Sequence, residues 1–190
     1  ENSTYLVLLS QLSLDRWQRF EELLAQWNGP VSVSVYIQGP QQLNDFHRLL
    51  SQCDQCMRFV RFHLVLANRR DEKYPVNHLR NLALLNAQAE FVLMLDVDFM
   101  FPNTLYYQLN DLIHDIWKDD HQEERKRALV IPAFELDPDA YQLGCPQTKQ
   151  TMIKLNQRML AYQVHYFKGV HAHFPTNYAK WMRTNKPYTI

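Results

Sequence analysis

The stretch FVLMLDVDFMFP, residues 91–102, decides how the rest of the chain is read. Phe91 to Leu95 is an unbroken apolar run. It is strand-sized, and it reads as a central parallel strand covered on both faces. It ends at once in Asp96-Val97-Asp98. Open parallel sheets bind their ligands at the carboxyl ends of their strands, so these two carboxylates stand where a site belongs.

Upstream of this strand the chain alternates strand and helix. Residues 4–10 (TYLVLLS) read as a buried strand. Residues 14–27 follow with Leu14, Trp17, Phe20, Leu23, Leu24 and Trp27 at helical spacing, and Gly29-Pro30 stops that helix. Val31, Val33, Val35 and Ile37 alternate with Ser and Tyr, which predicts a strand over 31–37 with unlike faces. After Gly39-Pro40 come a predicted helix over 41–52 and a strand over 58–66. A further helix spans 75–88, with Pro75 early, where its missing N–H does no harm. Four strand–helix alternations predict an α/β fold with a mostly parallel sheet.

Downstream the pattern is less regular. Helices are predicted over 104–117 and 147–161, and a strand with a bend at Pro132 over 128–134. The run DDHQEERKR, 119–127, reads as a solvated charged segment. Residues 163–178 read as a shaped loop or strand pair rich in aromatic, His and Pro residues. With no repeat or linker, residues 1–190 are taken as a single domain.

Composition narrows the function. Lys plus Arg and Asp plus Glu are 20 each, so the formal net charge is zero. That argues against a nucleic-acid partner and against a polybasic membrane surface. There are only 4 glycines (Gly29, Gly39, Gly144 and Gly169), against about 13 expected for average usage. They are too scattered for G-x-G-x-x-G or a P-loop, so no glycine cradle holds a phosphate. No apolar run approaches the roughly 18 residues of a membrane span. Three cysteines, Cys53, Cys56 and Cys145, make no disulfide framework. Cys56 reads as a small hydrophobe leading into an apolar strand, in preference to a zinc or redox role for Cys53-x-x-Cys56 with His47 and His63.

Asp96 and Asp98 are the main candidates for chemistry. Two carboxylates two residues apart suit a hard divalent cation, Mg2+ or Mn2+, which shares its oxygen ligands with substrate phosphates. A cation so held does what the missing glycines do not, because it neutralises a diphosphate leaving group. A phosphatase of the haloacid-dehalogenase type would use Asp96 as nucleophile, but Met100 stands where that motif carries Thr or Val. Arg80, with Asn77 and Asn81, lies on the helix before this strand, in reach of a phosphate or a base. His165, His171 and His173 cluster near the end of the sequence.

Five ordered strings are more specific together than any alone. They are 11–37 (QLSLDRWQRFEELLAQWNGPVSVSVYI), 74–84 (YPVNHLRNLAL), 91–102, 129–135 (LVIPAFE) and 173–188 (HFPTNYAKWMRTNKPY). In order and spacing the chain resembles the LARGE-type glucuronyltransferases, over about residues 5–188. The resemblance implies a GT-A (nucleotide-diphospho-sugar transferase) fold, a UDP-sugar donor, Mn2+, a glycan acceptor and transfer with inversion. It also implies a Golgi-lumenal catalytic domain, with any membrane attachment through an anchor that this chain does not show.

Residue by residue, the resemblance makes Asp96 and Asp98 the D-x-D pair that ligates the metal. Arg80 in VNHLRN becomes a donor contact. Gln11 and Asp15 fall after the first strand, where the uridine is received. His173, Asn177 and Lys180 fall on H-x-P-T-N-[FY]-x-K-W, near the diphosphate or a sugar carboxylate. The segment VHAHF is longer than its counterpart, so His173 is placed by register from Pro175, with His171 its rival. The family domain continues past this point, so the chain is expected to be the donor-binding portion of a longer domain. The base for the acceptor hydroxyl is then expected beyond Ile190, with Glu135 as a fallback. Two other functions stay open: a metal-dependent phosphotransferase, and a glycan-binding relative that has lost turnover.

Overall fold

A computed structural model describes residues 6–67, 73–117, 128–164 and 176–185. The predicted charged run at 119–127, and His165, His171 and His173, lie outside the described residues. The chain divides into two compact units, Glu1–Asp119 and Asp120–Ile190.

The first unit is an α/β layer structure. Its elements are β1 (Leu6–Ser13), a 3-10 turn (Leu14–Arg16), α1 (Trp17–Gln26), β2 (Val31–Ile37), α2 (Pro40–Ser51), α3 (Asp54–Phe59), β3 (Val60–Leu66), α4 (Val76–Leu85), β4 (Phe91–Met94) and α5 (Leu105–Trp117). The four strands form one parallel sheet in the order β3-β2-β1-β4. This is the predicted α/β class. The chain leaves β1 towards β2 and β3, then returns to place β4 on the other side of β1. The strand order therefore reverses between β1 and β4, and a crevice opens there at the carboxyl ends.

The strands β1 and β2 are buried almost throughout. One face of β2 carries Val31, Val33, Val35 and Ile37 into a core shared with Leu6, Leu8 and Leu12 of β1. Trp17 and Phe20 of α1 and Phe46 of α2 close that core. Trp17 stacks on Phe62 of β3 with ring centres 6.0 Å apart, and Phe46 meets the same ring edge-on at 5.3 Å. The other face of β2 carries Ser32 and Ser34, which are as buried as the valines. Small side chains there sit in the same unit as Leu79 and Ala83 of α4, which are themselves fully buried. Ser32 Oγ donates to Ala83 O at 2.8 Å and lies 2.9 Å from His63 Nε2.

Gly29 is required by a close approach: a Cβ there would stand 2.2 Å from Cε2 of Tyr106. Tyr106 packs edge-on against Trp27 at 5.0 Å, and Trp27 Nε1 donates to Pro30 O at 3.1 Å.

Four expectations need correction in this unit. The first strand, expected to end at residue 10, runs on to Ser13, so Gln11 lies within β1 and only Asp15 follows it. The run FVLML is not covered on both faces. Among the described residues β4 borders β1 alone, and Val92 and Met94 are 41% and 45% exposed. An unbroken apolar run fixes a strand but not how many neighbours it has. Residues 58 and 59 belong to a short helix, α3, that periodicity missed. Cys53 and Cys56 are disulfide-bonded, because α3 brings residues three apart to a Cα–Cα distance of 5.3 Å. Cys56 is still a core residue, as expected, but not a thiol.

The second unit is built of short elements: β5 (Phe134–Leu136), α6 (Pro138–Tyr141), α7 (Lys149–Gln157), β6 (Ala161–Gln163) and α8 (Tyr178–Arg183). β5 and β6 pair antiparallel, with Glu135 opposite Tyr162. The strand predicted over 128–134 begins only at Phe134. β6 reaches no further, and Leu129, Val130 and Ile131 stay 39%, 54% and 43% exposed. Phe134 packs against Tyr178 and Trp181, each at 5.3 Å. Lys149 Nζ lies 4.5 Å over the Trp181 ring and donates to the carbonyls of Trp181 and Thr184 at the end of α8.

Candidate functional site

The site is built at the β1/β4 crevice. Leu9 pairs with Met94, and the ladder runs one step further through Leu95 N–H to Leu9 O at 3.0 Å. Ser10 Oγ donates to Leu95 O at 2.8 Å and ties the two strand ends together. Gln11 and Asp96 therefore come level, and Gln11 Nε2 donates to Asp96 Oδ1 at 2.9 Å.

Asp96-Val97-Asp98 is a tight turn, closed by Phe99 N–H to Asp96 O at 3.2 Å. Val97 is 5% exposed and anchors the turn in the core. Both carboxylates are thereby turned outward. The chain beyond is pinned to the end of α1: Phe101 N donates to Gln26 Oε1 at 2.8 Å, and Asn28 Nδ2 to Asn103 O at 3.1 Å.

Arg80, on the buried side of α4, reaches Asp96 with Nη2 at 2.6 Å from Oδ1. One carboxylate oxygen thus takes two donors, and no described residue donates to Oδ2. Arg80 Nε is buried without a hydrogen-bond partner among the described residues.

Tyr74 was not singled out from the sequence, although it opens the string YPVNHLRN. Its hydroxyl donates to Gln11 Oε1. The Asp96 carboxylate only accepts, so it takes the Gln11 nitrogen and leaves the oxygen to Tyr74. Burial pushes the Tyr74 hydroxyl pKa well above its ordinary value, and the nearby Asp96 and Asp15 charges push it further against the opposing pull of Arg80. Tyr74 stays protonated at neutral pH and keeps its donor role. Its ring rests edge-on against Tyr36 at 5.6 Å.

Asp98 is paired instead with Arg16, whose Nη1 lies 3.0 Å from Asp98 Oδ1. Arg16 also went unremarked, although it lies in the string QLSLDRW. Asp15 accepts from Ser13 Oγ at 2.5 Å and lies 3.6 Å from Arg16 Nε. Five candidates from the sequence therefore share one site: Gln11, Asp15, Arg80, Asp96 and Asp98. Asn177 and Lys180 lie in the second unit, where Asn177 Oδ1 caps α8 by accepting from Lys180 N at 2.9 Å. His173 lies outside the described residues.

Asp96 and Asp98 suit a divalent cation in kind: each presents a carboxylate oxygen, Oδ2, that no described residue engages. No group of three or more His, Cys, Asp or Glu side chains fit to hold a metal occurs among the described residues. A cation here would take two protein oxygens and fill its remaining positions from a diphosphate and water, as Mg2+ and Mn2+ commonly do.

Comparison with known proteins gives the family. The chain matches the family described as glycosyl-transferase for dystroglycan over residues 5–73 and 66–189. It belongs to that glycosyltransferase family. It is 33% identical over 191 residues to xylosyl- and glucuronyltransferase LARGE2s of Gallus gallus, covering 100% of this chain and 25% of that protein. It is 29% identical to human xylosyl- and glucuronyltransferase LARGE1, covering 100% of this chain and 24% of that one. Glycosyltransferase-like protein gnt14 of Dictyostelium discoideum is 30% identical, over 97% of this chain and 28% of its own length. The chain thus spans about a quarter of the length of the curated relatives it matches. Among solved structures, S. aureus TarS 1-349 aligns with 58% of this chain and 32% of its own, at 19% identity and a TM-score of 0.41, a likeness too loose to define the fold.

Proposed function

We propose that this chain is the donor-binding part of an inverting glycosyltransferase that moves glucuronate from a UDP-sugar to a glycan acceptor. The observation that carries the reading is the convergence on Asp96 of Gln11 from β1 and Arg80 from α4, at the point where the strand order reverses. In this reading Asp96 and Asp98 hold Mn2+. The cation would neutralise the charge that builds on the diphosphate as the sugar leaves.

The chain's own residues do the rest. Gln11 and Arg80 fix Asp96, so its unengaged oxygen is presented without reorganisation on binding. Tyr74 fixes Gln11 in turn. Arg80 brings a positive charge to the crevice, favourable to an anionic donor. Val97 holds the turn still from below. An acceptor hydroxyl must also give up a proton to a base, and none of these groups is assigned that role.

We also infer a Golgi-lumenal setting, which the Cys53–Cys56 disulfide supports, since such bonds persist in oxidising compartments. Among the described residues no helix is long and apolar enough to cross a membrane.

A donor screen on the full-length protein with Mn2+ tests the reading. Release of UDP from UDP-glucuronate, well above that from UDP-xylose or UDP-N-acetylglucosamine, is the expected result. Preference for either of the others would overturn the choice of sugar, and no release from any would overturn the transferase reading.

A further inference from the structure

Arg16 has no part in the reading so far. It ends the 3-10 turn that leaves β1, and its Nη1 bonds to Asp98 Oδ1, 82 residues away in sequence. The two side chains are 53% and 54% exposed. Arg16 Nε also lies 3.6 Å from Asp15 Oδ2. A divalent cation on Asp98 repels the guanidinium bonded to the same carboxylate, and Arg16, unlike the less exposed Arg80 on Asp96, is free to swing away. So exposed an ion pair is weak and gives way at little cost.

We propose that Arg16 is an internal counter-cation: it occupies Asp98 until a divalent cation displaces it, and the freed guanidinium then binds the diphosphate of the donor. The proposal rests on the reading of Asp96 and Asp98 as cation ligands. The forked guanidinium matches phosphate oxygens in a way a carboxylate partner does not exhaust. Arg80 does not take this role, because it stays engaged with Asp96 from the more buried side, at 32% exposure. The consequence is coupling. Cation binding releases the group that grips the diphosphate, and diphosphate binding keeps that group away from Asp98, so each ligand strengthens the other.

The test measures Mn2+ binding to the full-length, donor-free protein by the electron paramagnetic resonance of free Mn2+, and then UDP binding at saturating Mn2+. Arg16→Gln is expected to bind Mn2+ about threefold more tightly than the wild type, the effect of removing an exposed competing charge. The same variant is expected to bind UDP about tenfold more weakly, the effect of losing a charge-assisted phosphate contact. Arg16→Lys, which keeps the charge, should leave Mn2+ affinity near wild type. Equal or weaker Mn2+ binding by Arg16→Gln, or unchanged UDP binding, overturns the proposal. Asp98→Asn separates the two levels. If it abolishes Mn2+ binding while Arg16→Gln changes nothing, the counter-cation fails and the cation site stands. If Asp98→Asn binds Mn2+ like the wild type, both fail.

Discussion

Arg80 Nη2 of α4 and Gln11 Nε2 of β1 both donate to the same oxygen of Asp96, at 2.6 and 2.9 Å. The arrangement leaves the other Asp96 oxygen to a ligand while holding the carboxylate in one orientation. Everything proposed for the site depends on that fixed carboxylate.

Replacing Arg80 tests the fixation directly. Arg80→Ala removes the shorter of the two bonds and a half-buried positive charge. Losing one partner of such a pair costs about 1–3 kcal/mol, so kcat/KM for transfer should fall about tenfold to a hundredfold. Arg80→Lys should recover part of the loss, since it restores the charge but not the planar fork. Steady-state kinetics with a UDP-sugar decide it, and a variant as active as the wild type contradicts the role.

Tyr74→Phe keeps the ring against Tyr36 and removes only the hydroxyl. Gln11 is 7% exposed, so its amide oxygen loses a donor that water replaces poorly. We expect about 1 kcal/mol of lost stability and a several-fold fall in kcat/KM, as Gln11 and then Asp96 loosen. Thermal unfolding and kinetics on the same preparation check both; unchanged values for both would mean that Tyr74 is a packing residue only.

Gly29→Ala should destabilise the first unit by about 1–3 kcal/mol, the usual cost of overpacking. The new methyl would meet the Tyr106 ring, which is held by Trp27. Urea unfolding measures this, with Gly39→Ala as the control, because a Cβ at Gly39 meets nothing within 4 Å. Equal losses for the two variants would contradict the close approach.

His63 makes stability fall with acid. Burial, aided by the Arg61 charge, lowers its pKa below the ordinary imidazole value. The unfolded chain then takes up the proton first as the pH falls. The contribution of His63 is therefore complete above about pH 6.5, and it is lost as the pH drops through the lowered value. His63→Gln should flatten the dependence of the urea midpoint between pH 7.5 and 5. An equally steep fall in the variant would place the effect elsewhere.

Much of the first unit was legible in the sequence. Val31–Ile37 is a strand at the predicted bounds, because Val and Ser alternate cleanly between Gly-Pro breaks. The exit of FVLML marked the crevice, and Gln11, Asp15, Arg80, Asp96 and Asp98 do assemble there. What stayed hidden depends on partners distant in sequence. The Ser32 and Ser34 face read as polar, yet it is buried and Ser32 bonds to Ala83 O. Tyr74 and Arg16 acquire meaning only from Gln11 and Asp98, 63 and 82 residues away. The short α3, α6 and α8 are too brief for periodicity to show. Asn177, read as a donor contact, has a local task as the cap of α8.

The central claim is that Asp96 and Asp98 hold the cation that carries the donor diphosphate. Its most direct measurement is the rate of UDP release from a UDP-sugar by the full-length protein as Mn2+ is titrated after chelation. The account predicts no release without the cation, restoration on adding it back, and a loss of about a hundredfold or more for Asp98→Asn, with the fold intact by circular dichroism. Release that persists in chelator, or an Asp98→Asn protein as active as the wild type, would contradict it.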